Sequence, residues 1–288
     1  MNSCLPQMTK QSFKVVVPTY GRSDAIGKYT MSYLRKTDVD LSEVYLFVAS
    51  EEEKEKYKAS NPDVKIVVGV KGLPQQRKFI SEYFEPGTRI LSLDDDVSGL
   101  QRLVLLDKLE GPQKPLDHPC KLETVTNLVE FVEKGWKLAE GRGIELWGAY
   151  QVANKGFLHP KVKTGALFIM GHFFSFLAGD PVFNEITQYP CKDDVFWSVW
   201  HHVNRKGTLR FDNYCVKSKA HSGSGGTNED MERKLQINNE TCEAICSKYP
   251  EIASIKMRKT KDPWLSRYKE IRLKPITYET LVVTDDCY

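Results

Sequence analysis

Four short apolar runs, spaced by segments that can only be helices or polar loops, constrain this chain more than any other feature. Phe13-Lys-Val-Val-Val-Pro18 is rich in β-branched residues and stops at a proline, and Val44 to Ala49, Val64 to Gly69 and Arg89 to Leu93 are further runs of strand length. Between them, Asp24 to Lys36 behind a Ser23 cap, the charged stretch Glu51 to Ser60, and Leu73 to Tyr83 read as helices. Strands alternating with helices predict a parallel sheet with right-handed crossovers. A chain of 288 residues, 41% of them hydrophobic, can bury a core of that kind without disulfides.

Beyond Gly99 the pattern loosens through Gly111-Pro-Gln-Lys-Pro115. It recovers as a predicted helix over Leu122 to Ala139, where Val125, Leu128, Val129 and Val132 fall at helical spacing. Glu145 to Gln151 and Thr164 to Met170 are predicted strands, Lys192 to Arg205 a helix rich in aromatics, and Leu209 to Lys217 a late strand. His221-Ser-Gly-Ser-Gly-Gly-Thr227 reads as a loop, and Asp230 to Tyr249 as a polar helix. With no internal repeat and no clear linker, the expected division is a tail over 1–12, two halves of one domain over 13–100 and 101–228, and a helical, basic appendage over 229–288.

Charge says little about partners: 41 Lys and Arg against 38 Asp and Glu leave a net +3, so contact with a polyanion must come from a local patch. The seven cysteines form no C-x-x-C pair, which fits reduced thiols in a cytoplasm rather than a disulfide framework or a zinc site. No apolar run approaches the ~20 residues of a membrane span, and Met1 to Ser12 is too polar for a signal peptide. The expectation is a soluble, cytoplasmic protein without a membrane partner.

In open α/β sheets ligands bind outside the carboxyl ends of the strands. There the first strand opens into Pro18-Thr-Tyr-Gly-Arg22, the third leads to Gly72-Leu-Pro-Gln-Gln-Arg77, and the fourth runs straight into Asp94-Asp95-Asp96. Three adjacent carboxylates repel one another unless a cation compensates, and Mg2+ or Mn2+ takes oxygen ligands while bridging to substrate phosphates. The competing reading is an acidic turn that caps the next helix.

These three motifs, in this order, resemble the nucleotide-sugar half of GT-A glycosyltransferases, which implies a Rossmann-like, mixed but mainly parallel sheet flanked by helices. The resemblance implies that Pro18, Thr19, Tyr20, Arg22, Gly72 and Arg77 line or support a nucleotide-sugar, a UDP-sugar being favoured. It implies that Asp94 and Asp96 hold Mn2+ or Mg2+ and that Asp94 or Asp95 contacts the donor. Cys191-Lys-Asp-Asp-Val-Phe-Trp197 resembles the acidic motif that supplies the acceptor base, with Asp194 preferred over Asp193. His221 is similar to the late histidine that completes such a metal site, and Lys219, Ser222, Gly223, Gly225 and Gly226 would form a loop on the donor phosphates.

With Trp147-Gly-Ala-Tyr-Gln-Val-Ala-Asn154 added, most of the chain is similar to the TET-associated glycosyltransferases of bacteriophages and some eukaryotes. That resemblance implies a hydroxymethylated pyrimidine in DNA as acceptor and transfer by single displacement. DNA demands cations near the cleft. Lys155, His159, Lys161 and Lys163 in one loop, Arg205 and Lys206 after a helix, and the basic tail from Lys256 are the candidates. A glycan or protein glycosyltransferase with the same donor site, a nucleotidyltransferase, and a non-catalytic nucleic-acid-binding module are the alternatives.

Overall fold

The computed structural model describes residues 10–105, 120–219 and 231–282. β1 (Phe13–Pro18) lies between β2 (Val44–Val48) and β4 (Arg89–Leu93), and β3 (Lys65–Val68) flanks β2, all in parallel register. The chain therefore steps outward from β1 to β3 on one side and then crosses to β4 on the other, which opens a crevice at the carboxyl ends of β1 and β4.

The rest of the sheet is largely antiparallel. β9 (Phe173–Leu177) pairs with β4 and with β7 (Leu146–Tyr150), and β10 (Thr208–Ser218) runs parallel to β7. β10 also pairs with β5 (Val97–Leu105) and β8 (Lys161–Ala166), and β6 (Cys120–Thr124) continues from β5. The result is an 11-stranded mixed sheet whose outer strand β13 (Ile276–Val282) pairs with β8.

Strand alternation splits the core between two faces. Val15 and Val17 face one side, where α1 (Ser23–Lys28), α2 (Thr30–Leu34), α3 (Glu51–Ser60) and α5 (Leu128–Glu140) contribute Ile26, Met31, Tyr57, Phe131 and Trp136. Val16 and Ile90 face the other, against α4 (Leu73–Tyr83), α6 (Val182–Glu185), α7 (Asp193–Asn204) and α8 (Met231–Lys248), through Ile80, Phe183, Trp197 and Ile245. Helices on both sides of the sheet give a three-layer α/β/α architecture. Among the described residues no helix is long and apolar enough to cross a membrane.

Four local expectations need correction. The predicted helix over Asp24 to Lys36 is two helices broken at Tyr29, because the Thr30 hydroxyl turns away to donate to the Asp94 carbonyl (2.7 Å) and accept from the Val97 amide (3.0 Å). The helix expected from Leu122 starts at Leu128, since residues 120–124 are taken as strand by β5. The expected strand Thr164 to Met170 starts and ends earlier, as β8, and the phenylalanine run after it is a separate strand, β9, that the periodicity does not resolve. The segment expected as a helical appendage carries α8, a ribbon of β11 (Ala253–Met257) and β12 (Lys269–Leu273), and β13, which is built into the main sheet.

One glycine tests the packing. Gly135 lies inside α5, where alanine is ordinarily favoured by about 1 kcal/mol, yet a Cβ there would stand 2.5 Å from the fully buried ring of Trp147. Gly135→Ala is expected to lower stability by about 1–3 kcal/mol in urea unfolding; a gain would mean that the Trp147 ring can yield.

Candidate active site

The site grows from the turn that follows β4. Because β4 ends at Leu93 and β5 begins at Val97, the three aspartates form a strand-to-strand turn. No helix follows, so the reading in which they cap one is excluded. Backbone bonds fix the turn from both sides: the Asp94 amide donates to the His172 carbonyl (3.1 Å), and the Lys219 amide to the Asp96 carbonyl (3.1 Å).

The three side chains do different things. Asp95 is buried, accepting from the Thr19 hydroxyl (2.8 Å) and from Arg22 (2.8 Å), so it binds the first-strand loop to the turn. Tyr57 on α3 completes that loop: its hydroxyl pairs with Thr19 (2.7 Å) and accepts from the Arg22 amide (2.9 Å). Asp94 and Asp96, two residues apart, remain for the cleft. Asp96 lies 3.8 Å from Arg22 and accepts from the Ser218 hydroxyl (3.2 Å).

Asp94 keeps 38% of its side-chain surface open while protein crowds its other sides. Burial is the largest cause that pushes its carboxyl up to about 7; Arg77 pulls the other way, and the like charges of Asp96, Asp95 and Asp193 add to the rise. Water on the open side tempers that shift.

Arg77 joins this turn to the second half of the chain. Its guanidinium is buried, forms an ion pair with Asp193, donates to the Gly171 carbonyl (3.1 Å) and lies 3.6 Å from Asp94. Trp197 (4.8 Å) and Phe174 (5.5 Å) present ring faces to it. The approach leaves no room for a side chain at residue 171, where a Cβ would sit 2.5 Å from Arg77 Nη2. Arg77 is thus more than a donor-site support.

Asp193 and Asp194 begin α7 behind Lys192, whose φ of +59° is the only positive value at a non-glycine among the described residues. Arg77 occupies Asp193. Asp194 accepts from the Val195 amide (2.9 Å), and its carboxyl is raised above the usual range, chiefly by burial and next by the charge of Asp193. Of the two, Asp194 is the carboxylate left to a ligand.

The donor-side residues group as the sequence suggests. Tyr20 is exposed at the lip with the Lys71 ammonium 5.6 Å from its ring, and Gly72, at φ +100°, starts α4 and so points Arg77 inward. His221, Ser222, Gly223, Gly225 and Gly226 lie outside the described residues. β10 delivers Lys219 to Asp96, two positions before His221.

The acceptor-side cations divide. β10 runs from Thr208, opposite Gly165, to Ser218, opposite Val97, so Arg205 and Lys206 stand at the sheet edge away from the aspartates. There Arg205 pairs with Glu145 (3.0 Å), so the two cations expected on the acceptor side with the Lys155 loop stand apart from it in the sheet. Lys155, His159, Lys161 and Lys163 do lie toward the aspartate edge, but the buried Asp212 holds Lys163 (2.9 Å).

Sequence reasoning missed Thr30, Tyr57, Gly171 and His172. Tyr57 had a signal, as the one aromatic on a charged helix. His172 had none: it follows Gly171 into β9, next to Asp94, and burial lowers its imidazole to about 4.

An α/β/α sandwich with a carboxylate turn at the switch in strand order and an acidic helix start facing it is the arrangement of a GT-A nucleotide-sugar glycosyltransferase, and that is the class of this chain. A family model described as TET-Associated Glycosyltransferase matches residues 13–241, and the chain belongs to that family. No curated protein matches it. A Pyrobaculum calidifontis mannosyltransferase in complex with GDP-Man and Mn2+ is similar in fold, at 9% identity over 90% of this chain and 68% of that one, TM-score 0.50. Staphylococcus aureus TarS in complex with UDP-GlcNAc matches at 11% identity and TM-score 0.49, over 82% of this chain but only 66% of its own. Mycobacterium tuberculosis glucosyl-3-phosphoglycerate synthase, in complex with Mn2+, UDP and glucosyl-3-phosphoglycerate, matches at 10% identity and TM-score 0.44, over 94% of this chain and 89% of that one.

Two outcomes test the electrostatics. Arg77→Met leaves Asp193 buried without its partner and is expected to cost about 3–5 kcal/mol in denaturant unfolding. Asp94 holds its proton to about pH 7 when folded but only to about 3.8 when unfolded, so raising the pH across that window makes folding progressively less favourable. Asp94→Asn, in a chelator, should therefore melt above the parent at pH 8 and level with it below pH ~3.5; equal melting at both pH values would remove the charge argument.

Proposed function

We propose that the protein transfers a sugar from a nucleoside diphosphate, a UDP-sugar in the first instance, to the hydroxymethyl group of a modified pyrimidine in DNA, with inversion at the anomeric carbon. One observation carries this: Arg77 holds Asp193 while lying 3.6 Å from Asp94, so one guanidinium joins the donor-side aspartate turn to the acidic start of α7, to which Asp194 belongs. Membership of the TET-associated family supports the acceptor, and the cations of the Lys155 loop lie on the same sheet edge as the aspartates.

Asp94 and Asp96 fit Mn2+ or Mg2+, which take one or two carboxylates together with substrate phosphates. Among the described residues no group of three His, Cys, Asp or Glu could hold a metal; the third ligand that the resemblance implies, His221, lies outside them. Bound there, the ion would supply Lewis-acid neutralisation of the leaving diphosphate.

The chain's residues do the rest. Arg22 and Thr19, locked by Asp95, hold the loop on which Tyr20 offers a ring to the nucleotide base. Asp194 takes the proton from the acceptor hydroxyl as that oxygen attacks the anomeric carbon, and its raised proton affinity suits a general base. Arg77 occupies Asp193 in an ion pair, which leaves Asp194 to accept the proton.

The test is incubation with Mn2+, a panel of UDP-sugars, and DNA bearing hydroxymethylcytosine, hydroxymethyluracil or neither, followed by nucleoside mass spectrometry. A sugar mass is expected only on a hydroxymethylated base, and Asp194→Asn should lose at least ~10²-fold in transfer while still binding UDP. Donor hydrolysis that requires Asp96, with no DNA product, would move the acceptor to a glycan or protein. Full transfer by Asp194→Asn would remove it as the base.

A further inference from the structure

The family match ends at residue 241, and the chain's strongest concentration of positive charge lies beyond it. Residues 254–274 contain eight lysines and arginines against two acids, a net +6 on a chain that nets +3. They form the β11–β12 ribbon and its tip. β11 and β12 pair in antiparallel register, Lys256 opposite Glu270 and Ser254 opposite Arg272. Ile271 turns inward onto the core below α8, so its neighbours in β12, Glu270 and Arg272, turn outward. A groove of about 500 Å³ on that outer face is lined by Lys256, Met257, Arg258, Lys259, Glu270 and Arg272. Glu270 is its one acid, shared by Lys256 (3.0 Å) and Arg258 (3.7 Å), and Lys259 and Arg272 have no carboxylate in salt-bridge range among the described residues.

Side-chain bonds set the ribbon beside the active site. Asn238 on α8 donates to the Lys269 carbonyl (2.9 Å), and Asn239 to that of Arg267 (3.1 Å). Arg267 grips Glu232, at the start of α8, through both nitrogens (2.6 and 2.9 Å). One turn along α8, Thr241 is bonded to Cys191, two residues before Asp193.

We propose that the outer face of this ribbon docks the phosphate backbone of the DNA acceptor and so delivers duplex to the cleft. This docking role rests on the reading of DNA as acceptor and deepens it. A two-stranded ribbon is a shape that duplex grooves admit, and arginine and lysine on such a surface meet phosphates irrespective of sequence. Neutralising each phosphate contact contributes about 0.9 to the slope of log affinity against log salt. The rest of the chain, at net −3, offers DNA no general attraction, which makes a local basic platform necessary for an acceptor of this charge.

The experiment compares the full chain with Arg258→Gln/Lys259→Gln/Arg272→Gln and with a control, Lys36→Gln/Lys58→Gln/Lys137→Gln, on an unmodified DNA duplex across a salt series. Three lost contacts should lower the slope by about 2–3 and weaken binding at least ~10-fold, while UDP binding stays unchanged and shows the fold intact. The control should match the parent. An unchanged slope in the ribbon variant, or an equal fall in the control, overturns the proposal. So does tighter binding of the parent to phosphatidylserine vesicles or duplex RNA than to DNA. Ribbon-dependent DNA binding without sugar transfer to any hydroxymethylated base would sink the acceptor reading and leave the ribbon standing.

Discussion

The buried pair of Arg77 and Asp193 is the constraint on which the rest of the site depends. A guanidinium taken out of water is tolerated only if its charge is met. Here Asp193, the Gly171 carbonyl and the faces of Trp197 and Phe174 meet it. Each partner comes from the second half of the chain, and Arg77 itself from the first. The same contact that stabilises the interior therefore sets the acidic start of α7 against the aspartate turn after β4.

That arrangement concentrates negative charge in a way that folding alone does not favour. Asp94, Asp95, Asp96, Asp193 and Asp194 lie around two arginines, and Asp94, Asp95 and Asp194 all have raised proton affinities, with burial the largest cause of each. Asp95 and Asp193 are consumed internally, by Arg22 and Arg77. Asp94 and Asp96 share those arginines at longer range, 3.6 and 3.8 Å, and Asp194 has none in salt-bridge range among the described residues. A site of this kind gives up stability for chemistry.

Much of this was legible in the sequence because the N-terminal half is locally consistent. The runs at 13–18, 44–48 and 89–93 are strands whichever neighbours they have, since β-branched and apolar residues there suit burial on both faces. The helices Glu51–Ser60 and Leu73–Tyr83 begin and end where caps and periodicity place them. Thr30 and β5 were not legible. A threonine within a helical pattern does not announce that it will clasp a carbonyl 64 residues away, and β5 is strand because β10 and β6 lie on either side of it.

By itself, then, the sequence determined the α/β alternation, the aspartates at a strand end, the acidic start of α7 and the charge of the C-terminal tail, because each is a matter of local pattern. Tertiary structure alone decided that Asp95 is spent on Arg22 and Asp193 on Arg77, and that Arg205 and Lys206 stand at the sheet edge away from the aspartates. Those outcomes depend on strand order and register, which bring together residues more than a hundred positions apart. No local propensity encodes such pairings; they follow from closing one buried core around one buried charge.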